Sequence, residues 1–183
     1  MTALLDLPEI RRHAAKLSVE DYHRIGENLR AELLRGYVIE KMPKSPLHYW
    51  IVDRLRAILA SRISPTFCLR QEGPLTLADS EPEPDLAIVR GTPDDYFDRH
   101  PTTAELVIEV AVTSVEIDRV KALIYAEAGI AEYWIVLPEA KSVEVHRQPA
   151  SGGYTEQFTV TAPAAIESRA LPGVRVELAA LFA

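Results

Sequence analysis

One segment constrains this chain more than any other: Ala104-Glu105-Leu106-Val107-Ile108-Glu109-Val110-Ala111-Val112, an apolar run with a glutamate inside it. It alternates too little for a strand with one wet face, so it predicts a strand covered on both faces at the centre of a sheet. Thr113-Ser114 then offers a cap, Val115 to Glu127 reads as a helix, and Gly129 is a stop signal. Glu132-Tyr133-Trp134-Ile135-Val136-Leu137 follows as the next strand. A strand, a helix and a strand in that order close as a right-handed parallel crossover. The chain is therefore of the α/β (α+β) kind.

The flanking sequence supplies more elements. Ser18-Val19-Glu20-Asp21 resembles a capped helix start, and Tyr22, Ile25, Leu29 and Leu33 recur at helical spacing as far as about Leu34, with Gly36 as the end. Tyr37 to Met42 reads as a short strand closed by Pro43, and a second helix is expected from Pro46 to Ser61 on Trp50, Leu55, Ile58 and Leu59. Pro65 to Arg70, Gly73 to Leu77 and Asp85 to Arg90 are strand-like runs between turn signals. Ser142 to Arg147 and Gly153 to Val160 form a hairpin around Ser151-Gly152-Gly153, and Val176 to Phe182 makes a terminal turn. With no internal repeat and no Gly/Ser linker, residues 1–183 read as one domain, the first 17 or so being an arm.

Composition narrows the function. Hydrophobic residues at 48% and charged residues at 26% exclude a disordered or fibrous chain. No apolar run approaches the roughly 20 residues that cross a bilayer, and the start lacks the apolar stretch of a secretory signal; no membrane role and a cytoplasmic protein are expected. The lone Cys68 cannot form an internal disulfide. A net charge of -7 has the wrong sign for coating nucleic acid indiscriminately. It does not exclude a nuclease, because bound divalent ions reverse the local field.

Two carboxylates need an energetic explanation. Asp85 opens an apolar strand directly after Glu81-Pro82-Glu83-Pro84, and Glu109 lies inside the most apolar run. A carboxylate in a buried strand is costly unless it is paired, hydrogen-bonded or metal-bound. Either neighbouring strands present Asp85 and Glu109 as oxygen ligands for a hard cation such as Mg2+, or Glu109 pairs with Arg119 or Lys121 and Asp85 caps a loop. The helix after Glu109 carries Glu116, Asp118, Arg119 and Lys121, with Tyr125 one turn beyond Lys121 on the same face. A lysine beside metal-bound carboxylates can orient water and stabilise charge at phosphorus. Glu32, at the end of the expected first helix, and His48 could add an acid and a phosphate-contacting or proton-handling group. Arg54, Arg56, Arg62, Lys41 and Lys44, around the second helix, are candidates for a basic face.

The strings Glu32-Leu33-Leu34-Arg35-Gly36, Pro84-Asp85-Leu86, Glu105-Leu106-Val107-Ile108-Glu109-Val110, and Lys121 with Tyr125-Ala126-Glu127-Ala128-Gly129-Ile130-Ala131-Glu132-Tyr133-Trp134 resemble the Uma-type restriction endonucleases of the PD-(D/E)XK superfamily. The resemblance runs in order from about residue 20 to Leu181-Phe182. It implies a restriction-endonuclease-like fold, a mixed central sheet flanked by helices. It also implies Mg2+-dependent cleavage of DNA phosphodiester bonds, with Mn2+ as a substitute, and a homodimer gripping both strands of a duplex. Asp85 and Glu109 take the places of the two metal-binding acids and Glu32 that of a helical acid. The superfamily's lysine would stand two residues after Glu109, where this chain has Ala111; the amine then comes from the following helix as Lys121. Arg119 suits phosphate clamping better, since its guanidinium is a planar fork, and His48 and Tyr125 join it as candidate nucleic-acid contacts. The rival expectation, raised by Ala111 and the acidic charge, is a catalytically degenerate module that keeps the fold and binds nucleic acid or a protein without cleaving.

Overall fold

The computed structural model describes residues 16–26 and 30–183. The expected N-terminal arm lies largely, and the helical position Leu29 wholly, outside the described residues. Six strands form the main sheet: β3 (Phe67–Gln71), β4 (Leu86–Arg90), β5 (Leu106–Val110), β6 (Glu132–Leu137), β7 (Ser142–Ala150) and β8 (Gly153–Thr161). They lie side by side in chain order. Only β5 and β6 run parallel, joined by the helix α3 (Val115–Glu127); every other pairing in this sheet is antiparallel. The sheet is thus mixed, and the central crossover is the one expected from residues 104–137.

Alternation along β5 sorts its side chains between two cores. Leu106, Ile108 and Val110 pack with Ile51, Val52, Leu55 and Leu59 of α2 (Pro46–Ala60), while Val107 packs with Ile124 and Tyr125 of α3. Glu109 shares parity with Val107, so the period of two along a strand turns its carboxylate toward the α3 layer. Ser45 caps α2 by accepting from the His48 N–H, with Pro46 in the first turn, where a missing N–H costs nothing.

The first helix is shorter than its periodicity predicted. α1 is Val19–Gly26, and Ala31–Leu34 is a strand, β1, paired antiparallel with β2 (Tyr37–Glu40). Glu32 therefore sits on a strand, not at a helix end. Arg35 (φ 55°) and Gly36 (φ 82°) are the two loop residues, and positive φ at both is the signature of the type I′ hairpin turn. A glycine that favours this backbone region also favours helix ends, which is why Gly36 read as a stop. Leu33 bonds Glu81 in both directions and so locks the hairpin against the segment leading to Asp85. Gly73 to Leu77 is also not a ladder strand: the Leu75 N–H bonds Pro82 and the Leu77 N–H bonds Ser80 in a local loop. At the C-terminus, β9 (Ala165–Glu167) pairs with β10 (Arg175–Glu177), and the expected terminal turn is the short helix α4 (Leu178–Leu181). Among the described residues no helix is long and apolar enough to cross a membrane.

Candidate active site

Strand register brings the two singled-out acids together. β4 and β5 pair Leu86 with Ile108 and Ala87 with Val107; carried one residue further, the antiparallel register sets Asp85 against Glu109. The Asp85 N–H donates to Glu109 Oε2 at 3.2 Å, and the Val110 N–H donates to Asp85 Oδ2 at 2.8 Å. Both carboxylates are buried yet line an open cleft of about 130 Å³, whose walls include Glu32, Lys44, His48, Asp118 and Lys121. That is room for several waters or a hydrated ion.

Each acid has its own set of partners. Asp85 Oδ1 accepts from Lys44 Nζ at 2.8 Å and Oδ2 lies 2.9 Å from His48 Nε2. Burial alone would raise the Asp85 pKa, but the His48 hydrogen bond and the Lys44 charge win and hold it down at about 2. Glu109 Oε1 accepts from Lys121 Nζ at 3.0 Å and from the Tyr125 hydroxyl at 3.2 Å. Lys121 also reaches Glu32 Oε1 at 2.9 Å, with Asp118 at 3.8 Å. The other Glu32 oxygen accepts from the Glu83 N–H, and Asp118 accepts from Ser114 Oγ at 2.6 Å. Ser114 therefore stands at the start of α3 as expected, but its hydroxyl bonds the Asp118 carboxylate rather than capping a backbone N–H.

The cleft holds more negative than positive charge. Glu32, Asp85, Glu109 and Asp118 are all at most 5% exposed, against the ammonium groups of Lys44 and Lys121; the Lys41–Glu83 pair at the rim is neutral. Among these six groups the ionised acids outnumber the ammonium groups by two, and the exposed Glu40 on the cleft wall adds to the negative side. The consequence falls on Glu109: burial, opposed by Lys121 but reinforced by Asp85, Asp118 and Glu32, pushes its pKa up to about 8. For Lys121 burial works the other way, yet Glu109, Glu32, Tyr125 and Asp118 outweigh it and hold the ammonium well above the ordinary lysine value.

A hard divalent cation fits this donor set in charge and in chemistry, since the free capacity is carboxylate oxygen. Among the described residues no three candidate ligands already converge on one point, and Lys44, His48 and Lys121 are bonded to oxygens of the acid pair. With its pKa pushed up to about 8, Glu109 would have to lose a proton to hold a cation. Were the cleft to take Mg2+, binding between pH 5 and 8 should release close to one proton, and the apparent Kd should fall about tenfold per pH unit, levelling off above pH 8. Calorimetry in buffers of different ionisation enthalpy measures this directly; a pH-independent Kd would show Glu109 already ionised.

The remaining expected site residues lie elsewhere. Arg119 pairs with Glu116 and Glu144 on the outer face of α3 and does not line the cleft. Tyr125 is fully buried behind Glu109, so the expected contact with nucleic acid gives way to a hydrogen bond that orients the carboxylate. Arg54 stacks on Trp50 and bonds the Ala180 carbonyl, and Arg62 bonds that of Arg175. Lys41 and Lys44, by contrast, line the cleft. Lys44, a candidate for the basic face, and Asp118, part of a charged helix face, are the cleft residues that spacing did not assign to the acid pair. The signal for Lys44 was its position in Pro43-Lys44-Ser45-Pro46, a rigid link between a strand and a helix. Glu132 shows the contrasting case of a buried strand carboxylate. It accepts from Trp134 Nε1, Arg147 Nε, Ser168 Oγ and the N–H groups of Arg169 and Ala170, does not line this cleft, and anchors the loop after β9.

A mixed sheet with a carboxylate cleft where β4 begins and β5 ends defines a protein with the fold of a restriction-endonuclease-like nuclease. A family model described as Uma2, "Putative restriction endonuclease", matches residues 19–180, and the chain belongs to that family. Among solved structures it is similar to a crystal structure titled a "putative nuclease belonging to DUF820" from Anabaena variabilis ATCC 29413. The two superpose with a TM-score of 0.76 at 16% identity, covering 91% of this chain and 97% of the other, so they share the fold. No curated protein matches the sequence.

Proposed function

We propose that the chain is a divalent-metal-dependent endonuclease that hydrolyses DNA phosphodiester bonds, with Asp85 and Glu109 holding Mg2+, or Mn2+ in its place. The observation that carries this reading is the apposition of the two buried acids in an open cleft, with a buried lysine held against the second of them. The amine that Ala111 lacks reaches Glu109 from α3.

The bound metal would supply Lewis-acid activation of the phosphate and of the attacking water. The protein's own groups do the rest. Lys121 stays protonated at neutral pH, so it acts as a donor: it orients water and stabilises charge growing on the phosphate, and it does not accept the proton. Glu32 also holds Lys121, and its second oxygen is tied to the Glu83 N–H. His48 holds the orientation of Asp85 through Oδ2. Duplex DNA as substrate and a two-fold homodimer presenting one cleft to each strand complete the proposal, as does residence in the cytoplasm, where DNA and free Mg2+ coexist.

The second reading, a module that binds without cleaving, is favoured by the acidic net charge and by Ala111. Incubation with supercoiled plasmid, single-stranded DNA and RNA, with Mg2+ or Mn2+ and with chelator, separates the two. Metal-dependent nicking of plasmid supports the nuclease; retention of DNA in a gel shift with no nicking under either metal supports the module.

A further inference from the structure

We infer that Lys44 is a built-in competitor of the divalent cation: its ammonium occupies the Oδ1 side of Asp85 and moves to Glu72 alone when a metal binds. The inference rests on the metal reading above and goes beyond it, because nothing in the proposed chemistry requires a cation there. Lys44 Nζ lies 2.8 Å from both Asp85 Oδ1 and Glu72 Oε1. The two acceptors differ in setting. The Asp85 side chain is 7% exposed and belongs to the acid pair, while that of Glu72 is 36% exposed and outside it. Transfer from one to the other needs only side-chain rotation, since Pro43 and Pro46 stiffen the backbone on either side.

Room for that rotation exists. Lys44 lines both the cleft and an adjoining pocket of about 250 Å³, shared with Arg30, Lys41, Tyr49 and Glu72. A metal ion and an ammonium cannot share the Oδ1 side of one carboxylate without close like-charge repulsion. Lys44 therefore keeps the buried Asp85 paired while the site is empty, since an unpaired buried carboxylate is costly.

The test is titration of Mg2+ and Mn2+ alone, by calorimetry, into the full chain and its variants at fixed pH. Lys44→Met is expected to bind the metal roughly tenfold more tightly, and Glu72→Gln, which removes the acceptor for the displaced ammonium, several-fold more weakly. Lys41→Met, which deletes a cation from the same cleft but one paired to Glu83, should change Kd less than about twofold. Thermal unfolding checks that Lys44→Met is folded; if it is not, the variant Glu72→Gln carries the test by itself, and an unchanged or tighter Kd there overturns the competitor role. Wild-type binding with an unchanged or weakened Kd in Lys44→Met, or equal effects of Lys41→Met and Lys44→Met, overturns the competitor role and leaves the metal site standing. Metal binding seen only in Lys44→Met supports the role in its strongest form. No binding by any variant removes the metal reading and this inference together.

Discussion

Glu109→Gln is expected to lower DNA cleavage roughly 10³-fold and, at the same time, to make the metal-free protein more stable above pH 8. The two effects have one cause. Glu109 is buried among Asp85, Asp118 and Glu32, and its carboxyl is pushed up to about 8. A carboxyl whose folded pKa is raised takes up a proton on folding, so its contribution turns unfavourable as pH rises from the unfolded value near 4.5 to about 8, and is constant beyond. Glutamine has nearly the same shape and no charge, and so is free of that cost. At about 1.4 kcal/mol per pH unit between 4.5 and about 8, the gain should reach about 5 kcal/mol at most above pH 8 and fade toward pH 5. Urea unfolding at the two pH values, with plasmid nicking on the same samples, measures both. A variant that loses cleavage and stability in parallel would show that the Glu109 charge is needed for folding, against the charge balance described above.

Lys121→Met should act in the opposite sense on stability. Lys121 is the ammonium shared by Glu109 and Glu32, with Asp118 close by, and its removal leaves three buried acids without their cation. Breaking a buried ion pair from one side costs about 3–5 kcal/mol, which in a domain of this length lowers Tm by roughly 10 °C. The folded pKa of this lysine is raised, so its contribution is fully present at neutral pH and is lost only as pH climbs through that raised value. The deficit should therefore be large at pH 8 and smaller at pH 5, where Glu109 takes up a proton instead. Millimolar Mg2+ should recover part of it by mass action. Cleavage should fall about 10²-fold or more through the lost donor. A Tm unchanged at both pH values would mean that the carboxylates do not depend on this ammonium.

The sequence carried the central unit in full. The apolar run through Glu109, the helix Val115–Glu127 and the strand from Glu132 were legible because hydrophobic period and end signals agree there. The acids were legible for the opposite reason: Asp85 and Glu109 break an apolar pattern, and such a break calls for a partner. The N-terminal hairpin was not. Ile25, Leu29 and Leu33 fit a helical stripe, while the pairing that makes Ala31–Leu34 a strand comes from Tyr37–Glu40 and from Glu81, a contact distant in sequence. The direction of Arg119 and the burial of Tyr125 were hidden as well. On a helix, which neighbours share a face follows from spacing, but which face meets the sheet depends on the packing of its apolar residues, and here Tyr125 and Lys121 turn inward. Lys44 was legible only as a candidate for a basic face and not as a partner of Asp85, because a lysine in a loop almost always solubilises a surface.

In the proposed reading Asp85 and Glu109 form one metal site that performs cleavage. Calorimetric titration of Mg2+ and Mn2+ into the wild-type chain and into Asp85→Ala, with plasmid cleavage assayed on the same samples, tests it most directly. Binding and cleavage are expected in the wild type and neither in the variant, whereas metal binding that survives Asp85→Ala with unchanged affinity would refute the site.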